Sequence, residues 1–317
     1  KVIQADVKQS DRHVDPKNNY GFAAAAVEAR QRGANQFGNR GQAHDREVLG
    51  FEHLDGFLGF GAGHVGGDNL SEDEAGRLLN AAVDLGVHLV DTARGYGRSE
   101  ERIGRHLAHR RDEVVMVSKC GYGIDGHADW TGPCITAGIE EALHRLRTDR
   151  IDAMLLHSCP RETLERGEVV DALAQAVARG KVRFAGYSGE NADLAFALSS
   201  GRFQVLEASV NLADQRVLDE AAPRLGGAGL IAKRPLANAP WRFAERPVGN
   251  YAEVYWERLR QMEIARGELA WDELALRFAA FAPGVSVAIA GTASVSNISR
   301  NVEIVNKGPL PAAQAEA

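Results

Sequence analysis

Residues 151–188, IDAMLLHSCPRETLERGEVVDALAQAVARGKVRFAGYS, read as strand, helix, strand, and that reading decides the fold. The two ends, IDAMLLH (151–157) and VRFAGYS (182–188), are short runs, apolar nearly throughout. Between Glu162 and Arg179 the residues Val169, Val170, Leu173, Ala176 and Val177 recur at spacings of three and four, with Gly180 as a stop. This predicts a helix with one inward face. Apolar strands must be covered on both sides, which favours parallel pairing with helical crossovers. Similar runs recur before this unit at FLGFG (57–61), VHLVD (87–91) and VVMVSK (114–119). They recur after it at FQVLEAS (203–209), GLIAKR (229–234) and VSVAIAG (285–291). Eight strand–helix units over roughly 250 residues predict a closed (β/α)8 TIM barrel of the α/β class. The rival is an open doubly wound sheet, which announces itself by a glycine-rich turn running straight into a helix. In GFGAGHVGG (59–67) the glycines are present, yet no helix signal comes before Ser71, which forms a capping box with Glu74 and is followed by Gly86 as terminator.

The barrel is assigned to residues 46–310, with a C-terminal tail at 311–317 and an N-terminal extension at 1–45. The extension, with stretches such as KQSDRHVDPKNNY (8–20) and RGANQFGNRGQAHD (32–45), is polar and aperiodic, so poor order is expected there apart from a short helical stretch near Phe22–Gln31. The longest interval between strands, 235–284, holds Trp241 and Phe243 in an extra loop, then one or two helices. Within 317 residues, 44% are hydrophobic and the net charge is −6, a balance without the clustered basic face that nucleic acid or a membrane surface calls for. Cys120, Cys134 and Cys159 are odd in number and lack CxxC spacing, so neither a disulfide framework nor a metal knuckle is indicated. No apolar run reaches the roughly 18 residues of a spanning helix, and a cytoplasmic location is expected. The sequence leaves monomer and homo-oligomer equally open.

In such a barrel the reactive groups stand where strands end at the carboxyl face. Asp91 ends the second strand, Tyr96 follows five residues later, Lys119 ends the third and His157 ends the fourth. Each alone has a bland reading: a turn cap for Asp91, surface packing for Tyr96, a backbone hydrogen bond for His157. A strand-end lysine is harder to dismiss, because a buried ammonium needs a charged partner, and Asp91 is the natural one. Together the four have a chemical logic. An ammonium beside a phenol is expected to lower its pKa towards a useful range, making Tyr96 an acid tuned by Lys119. Asp91 would hold Lys119, while a neutral His157 would donate to a substrate oxygen and orient it. The set lacks a reductant, so a hydride would have to come from a bound cofactor. Trp130, after strand three, is expected to line an apolar substrate wall or to pack its own loop.

DTARGYGRSE (91–100) matches the pattern DTAxxYGxSE at seven identities over ten positions, and the likeness extends to Gly104. It resembles the signature of the aldo-keto reductase superfamily, and the region 46–307 is similar to that superfamily from LGFGAGHVGG (58–67) to GTASVSNISRNVE (291–303). The resemblance implies reduction of a small aldehyde or ketone by NADP(H) or NAD(H), with Asp91, Tyr96, Lys119 and His157 as the catalytic tetrad. It also implies a cofactor site across strands five to eight. Ser188 would bond the nicotinamide carboxamide, although its usual Asn neighbour is Gly189 here, and Glu207 stands where many members have Gln. Lys233, Arg234, Pro235 and Leu236 match the loop that lies over the pyrophosphate. Gly291, Thr292 and Ser294 lead into a helix whose amide-rich start suits an adenosine 2′-phosphate. Asn297 replaces an arginine that many members stack on adenine, Arg300 is a candidate substitute, and Asn301 keeps its usual place.

Other classes stay open on the sequence. Lys119 could form an imine, as in a Schiff-base lyase. A metal-dependent hydrolase lacks a His-x-His pair on strand one and has too few ligands. A nucleotide-sensing regulatory subunit of the same fold would bind the cofactor and turn over slowly.

Overall fold

A computed structural model describes residues 57–311 and residue 314; the N-terminal extension, its helical stretch and most of the C-terminal tail lie outside the described residues. Eight parallel strands close into a barrel in sequence order. They are β1 Leu58–Gly61, β2 Leu89–Asp91, β3 Val115–Cys120, β4 Ile151–His157, β5 Val182–Ser188, β6 Val205–Ser209, β7 Gly229–Lys233 and β8 Val285–Gly291. Every apolar run singled out in the sequence coincides with one strand, β3 running one residue past Lys119 to Cys120, and β1 pairs with β8 to shut the ring.

The α-helices of the described residues are α1 Glu72–Asp84, α2 Ser99–Leu107, α3 Gly132–Leu146, α4 Arg161–Arg166, α5 Glu168–Ala178, α6 Asn191–Ser199, α7 Arg216–Glu220, α8 Glu253–Gln261, α9 Trp271–Ala280 and α10 Val295–Asn306. The capping box is formed: the Glu74 amide donates to Ser71 Oγ (3.3 Å) while the Ser71 amide donates to the Glu74 carboxylate (2.8 Å). Gly86, just past the end of α1, takes the left-handed φ of +82° that ends a helix cheaply. The single helix expected over 162–179 is two helices. Gly167 adopts φ +81° between them, and the Glu168 side chain turns back to accept from the Gly132 amide at 2.7 Å. Val169, Val170, Leu173 and Ala176 are buried as the spacing requires, with Val177 only half-buried. The 235–284 insertion holds a short turn at Pro240–Arg242, then α8 and α9, with Trp241 stacked on Trp271.

Residues alternate across a strand, so each strand feeds two cores. The outer layer packs against the helices, as with Val90, Met116, Met154, Leu156 and Leu206. The inner one, Leu89, Val117, Ala153, Leu155, Val205, Ile231, Val287 and Ile289, fills the barrel axis. Gly186 shares this inner level, where a Cβ would come within 2.1 Å of Leu155 Cδ2. Counting two residues onward from this apolar layer gives Asp91, Lys119, His157, Ser188, Glu207, Lys233 and Gly291. The period of two that buries the apolar floor therefore sends polar side chains from the six consecutive strands β2 to β7 to the carboxyl mouth just above it, with Gly291 at the same level on β8. Parallel register sets neighbours at that level side by side, with His157 opposite Ser188 and Ser188 opposite Glu207.

Candidate active site

Tyr96 arrives from the loop after β2, and the residues around it explain why the loop holds its shape. Thr92 Oγ1 donates to Ser99 Oγ (2.8 Å), which donates to the Ala62 carbonyl (2.9 Å). Ser118 Oγ donates to the buried Glu100 carboxylate at 2.6 Å. The Arg102 guanidinium, fully buried, donates to the carbonyls of Val65, Gly67 and Leu70 and pins the β1 loop against α2. Gly66 is obligatory here: a Cβ would lie 1.6 Å from the Tyr96 carbonyl oxygen.

Lys119 is 1% exposed and Asp91 1% exposed, and the ammonium donates to both Asp91 oxygens and to the Thr92 carbonyl (2.9 Å). Its nitrogen sits 5.1 Å from the centre of the Tyr96 ring. The Tyr96 ring meets His157 edge-on at 5.9 Å and 86°. Asp91, Tyr96, Lys119 and His157 therefore gather at one point of the mouth.

Glu207 changes the electrostatics of that point. It is 1% exposed, with Oε2 at 3.4 Å from Lys119 Nζ, so one ammonium faces two buried carboxylates. Burial, then the Glu207 charge, push Asp91 up to about 7 against the pull of Lys119. Burial works against ionised Glu207 as well, but Lys119, Lys233 and the Ser188 hydroxyl outweigh it and hold the carboxyl below its usual value. Burial opposes charge on Lys119 too; Asp91, Glu207 and Tyr96 overcome it and keep the group protonated. Tyr96 departs from expectation. Lys119 does lower it, yet burial, with Asp91 and Glu207, wins and holds the phenol above its ordinary range. The phenol thus keeps its proton at neutral pH, as a proton donor must. Burial and the Lys119 charge press His157 down to about 4, leaving a neutral imidazole.

Of the predicted cofactor residues, Ser188 and Glu207 form a buried pair: Ser188 Oγ donates to Glu207 Oε1 at 3.0 Å, and Glu207 Oε2 has no hydrogen-bond partner. Lys233 Nζ lies 3.3 Å from Ser188 Oγ, and Arg234 donates to Ser209 Oγ at 3.0 Å. Pro235, Leu236 and Gly291 line a cleft of about 430 Å³ together with His64, Arg242 and Tyr251. Thr292 Oγ1 accepts from the Ser294 amide and from Asn297 Nδ2, both at 3.1 Å, at the start of α10. Asn301 is buried, whereas Arg300 is ion-paired with Asp272 of α9. Trp130 turns its edge to Tyr122 (5.8 Å, 62°) and presses on Gly121, so it backs the loop after β3.

Two residues escaped the sequence reading. Tyr122, in KCGYG (119–123), brings its hydroxyl to 2.8 Å from His157 Nδ1. A tyrosine between glycines just beyond a strand-end lysine was the available signal. Glu190 lies 3.4 Å from Lys233 Nζ and 3.6 Å from Arg234, so both cations meet a carboxylate within the protein. All three cysteines are buried and free. Among the described residues no three His, Cys, Asp or Glu side chains gather as a metal would require, and no helix is long and apolar enough to cross a membrane.

A closed eight-stranded barrel with a buried lysine–aspartate pair beside a tyrosine and a histidine at its carboxyl mouth defines a class of oxidoreductases. The model of the aldo/keto reductase family matches residues 57–317, and the chain belongs to that family. It is similar to D-threo-aldose 1-dehydrogenase of a Pseudomonas species, 29% identical over 78% of this chain and 88% of the relative. It is also similar to a probable voltage-gated potassium channel subunit beta of rice, 28% identical over 80% of this chain and 88% of the relative. An aldo-keto reductase from Klebsiella pneumoniae, solved with NADP and acetate, shares the fold: TM-score 0.63, 24% identity, 81% of this chain and 88% of that one.

Proposed function

We propose that this chain transfers hydride between a nicotinamide cofactor, NADP(H) or NAD(H), and a small carbonyl compound, with Tyr96 as proton donor. The observation that carries the reading is the convergence of Asp91, Tyr96, Lys119 and His157 on one spot of the barrel mouth. The cofactor fits what surrounds them. Glu207 Oε2, buried and ion-paired with Lys119 at 3.4 Å, makes no hydrogen bond within the protein and can still accept one from an amide N–H, and the adjoining cleft is lined by Arg234 and Arg242 as a pyrophosphate requires. Ser188, Glu207, Lys233, Arg234 and the start of α10 would hold it. When bound, the nicotinamide supplies the hydride that the protein lacks.

The protein's part is positioning and proton supply. Tyr96 carries a proton at neutral pH and gives it to the carbonyl oxygen as the alcohol forms. Lys119 stabilises the phenolate left behind, and Asp91 fixes the ammonium at the required place. Neutral His157 donates to the same oxygen and orients it. The reaction is reversible, with Tyr96 as base in the oxidative direction.

The test is NADPH and NADH consumption with a panel of aldehydes, ketones and aldoses, the last included because of the aldose-oxidising relative. Tyr96→Phe should lower kcat by about 100-fold or more while cofactor affinity is retained, since an acid–base group contributes roughly 10²–10⁴. Unchanged turnover in Tyr96→Phe would remove the proposed acid. The similarity to a channel subunit favours one second reading, a nucleotide-sensing subunit. Tight cofactor binding with negligible turnover across the panel would select it.

A further inference from the structure

His157 has two ring nitrogens with different surroundings. Nδ1 lies 2.8 Å from the Tyr122 hydroxyl, and the two rings run nearly parallel, 27° apart with centroids at 5.7 Å. Nε2 has no hydrogen-bond partner among the described residues and is the nitrogen left for a ligand. A neutral imidazole carries one N–H and one lone pair, so the partner of Nδ1 decides what Nε2 presents. If Nδ1 were the protonated nitrogen, Nε2 would turn a lone pair towards a carbonyl oxygen and repel it. If the Tyr122 hydroxyl donates to Nδ1, Nε2 carries the hydrogen and attracts that oxygen.

Tyr122 is itself held on several sides. Trp130 meets its ring edge-on, and the Trp130 amide donates to the Gly121 carbonyl at 2.8 Å. Trp130 takes an unusual φ of +58° to do so, and its ring fills the space where any side chain at Gly121 would stand. The Gly123 amide donates to Asp129 at 2.9 Å, and the Gly123 carbonyl accepts from Arg94 Nε at 2.8 Å. Gly95 leaves room for the hydroxyl: a Cβ there would be 3.3 Å from the Tyr122 oxygen. The loop backbone on either side of Tyr122 is thus held in place, and the phenol, seated between the Trp130 and His157 rings, points its hydroxyl at one nitrogen.

We propose that Tyr122 is a positioning residue that locks His157 as the Nε2–H tautomer and so aims a hydrogen-bond donor at the substrate oxygen beside Tyr96. The role rests on the carbonyl-reducing function proposed above, but the tautomer itself can be read from the protein without cofactor or substrate. The groups facing His157 are Lys119 from β3, Glu207 from β6, Lys233 from β7, and Tyr96 and Tyr122 from the loops after β2 and β3. Of these, Tyr122 alone hydrogen-bonds the ring.

The experiment is long-range proton–nitrogen correlation on the nitrogen-labelled full chain, with His157 among the 10 histidines assigned through His157→Asn. The wild type should show a pyridine-type Nδ1 and a pyrrole-type Nε2. Tyr122→Phe, which keeps the ring and its packing, should yield a mixture of tautomers. The same variant should lower kcat for carbonyl reduction about tenfold, the value of one well-placed hydrogen bond, at unchanged cofactor KM. Loss of a donor to the neutral ring should also move the acid limb of the pH profile up by roughly half a unit to one unit. A protonated Nδ1 in the wild type, or a Tyr122→Phe spectrum and acid limb identical to wild type, would overturn the proposal. Since the wild-type spectrum alone can do this, a poorly folding variant does not shelter it. Absence of any carbonyl turnover in the wild type would strike the function and leave the tautomer reading to the spectrum.

Discussion

Glu207→Gln tests the claim that one buried ammonium serves two carboxylates. At 3.4 Å, with an effective dielectric of about 20, the Lys119–Glu207 attraction is about 5 kcal/mol. The dehydration of a buried carboxylate costs several kcal/mol. The opposing quantities are comparable, so the substitution should change stability near pH 5 by no more than about 1 kcal/mol. The pH dependence is the sharper readout. Folded Asp91 titrates at about 7 against 3.8 as its ordinary value, so between those limits the folded state binds the extra proton. Stability contributed by that protonated carboxyl is therefore lost as pH rises through the window, at up to about 1.4 kcal/mol per unit.

Without Glu207 one of the two causes of the Asp91 shift disappears, and the variant escapes part of that loss. The variant-minus-wild-type stability should climb by about 1–2 kcal/mol from pH 5 to 7 and stay level above about pH 8. His157, pressed down to about 4, contributes stability that grows as pH rises towards its ordinary 6.5. Removing Glu207 presses His157 lower still, but in both proteins the folded imidazole titrates below the pH 5–7 window, so the difference there carries little of that slope, and the lowered titration of Glu207 itself also falls below the window. Urea denaturation of both proteins at pH 5, 6, 7 and 8 gives the curve. A difference that is flat or falls across pH 5–7 would show that Glu207 does not hold a proton on Asp91.

Glu190→Gln should free Lys233 and Arg234 from their internal carboxylate and tighten NADP⁺ binding about fivefold, as two partly exposed ion pairs are worth; an unchanged Kd in a fluorescence titration would mean these cations do not meet the phosphates. Gly66→Ala should cost about 3 kcal/mol or more, because backbone rather than a side chain blocks the new methyl. A thermal melt matching the parent would show that the Tyr96 loop has slack. Burial raises the Cys120 thiol and lifts Cys159 to about 12, so a thiol reagent should react slowly with the native protein and quickly after denaturation. Fast labelling of the native chain would place a thiol at the surface.

What could be read from the sequence followed from periodicity. The runs at 87–91, 114–119 and 151–157 each end in a polar residue, and a two-residue period puts that residue on the same face as the barrel core, so Asp91, Lys119 and His157 could be aligned without coordinates. Relations across the barrel could not. Glu207 was legible as a polar strand residue, but its approach to Lys119 joins β6 to β3, which are not neighbours in the ring. Only closure brings them together, and with it came the reversal of the expected Tyr96 shift. Tyr122 was missed for a different reason. Its reach to a histidine 35 positions away depends on the loop path set by Gly121, Gly123 and the positive φ of Trp130. The helix expected over 162–179 broke at Gly167 because a glycine inside an apolar period reads as tolerated until its φ is known.

The same distinction divides the DTARGYGRSE segment. Its density of polar residues invites a catalytic reading of the whole, yet the proposed chemistry calls on two of the matched positions, Asp91 and Tyr96. Thr92, Ser99 and Glu100 are buried and spend their hydrogen bonds on one another's surroundings: Thr92 on Ser99, Ser99 on the β1 loop, Glu100 on Ser118. Gly97 takes φ +57° while packed against Gly66, where a Cβ would meet the Gly66 carbonyl at 2.6 Å. These residues touch no reacting atom. They fix the path of the four residues between Asp91 at the strand end and the Tyr96 phenol, and that path decides whether Tyr96 stands over Lys119 or elsewhere. A change at Ser99 or Gly97 should therefore act on catalysis through the position of one ring, while a change at Asp91 acts through charge.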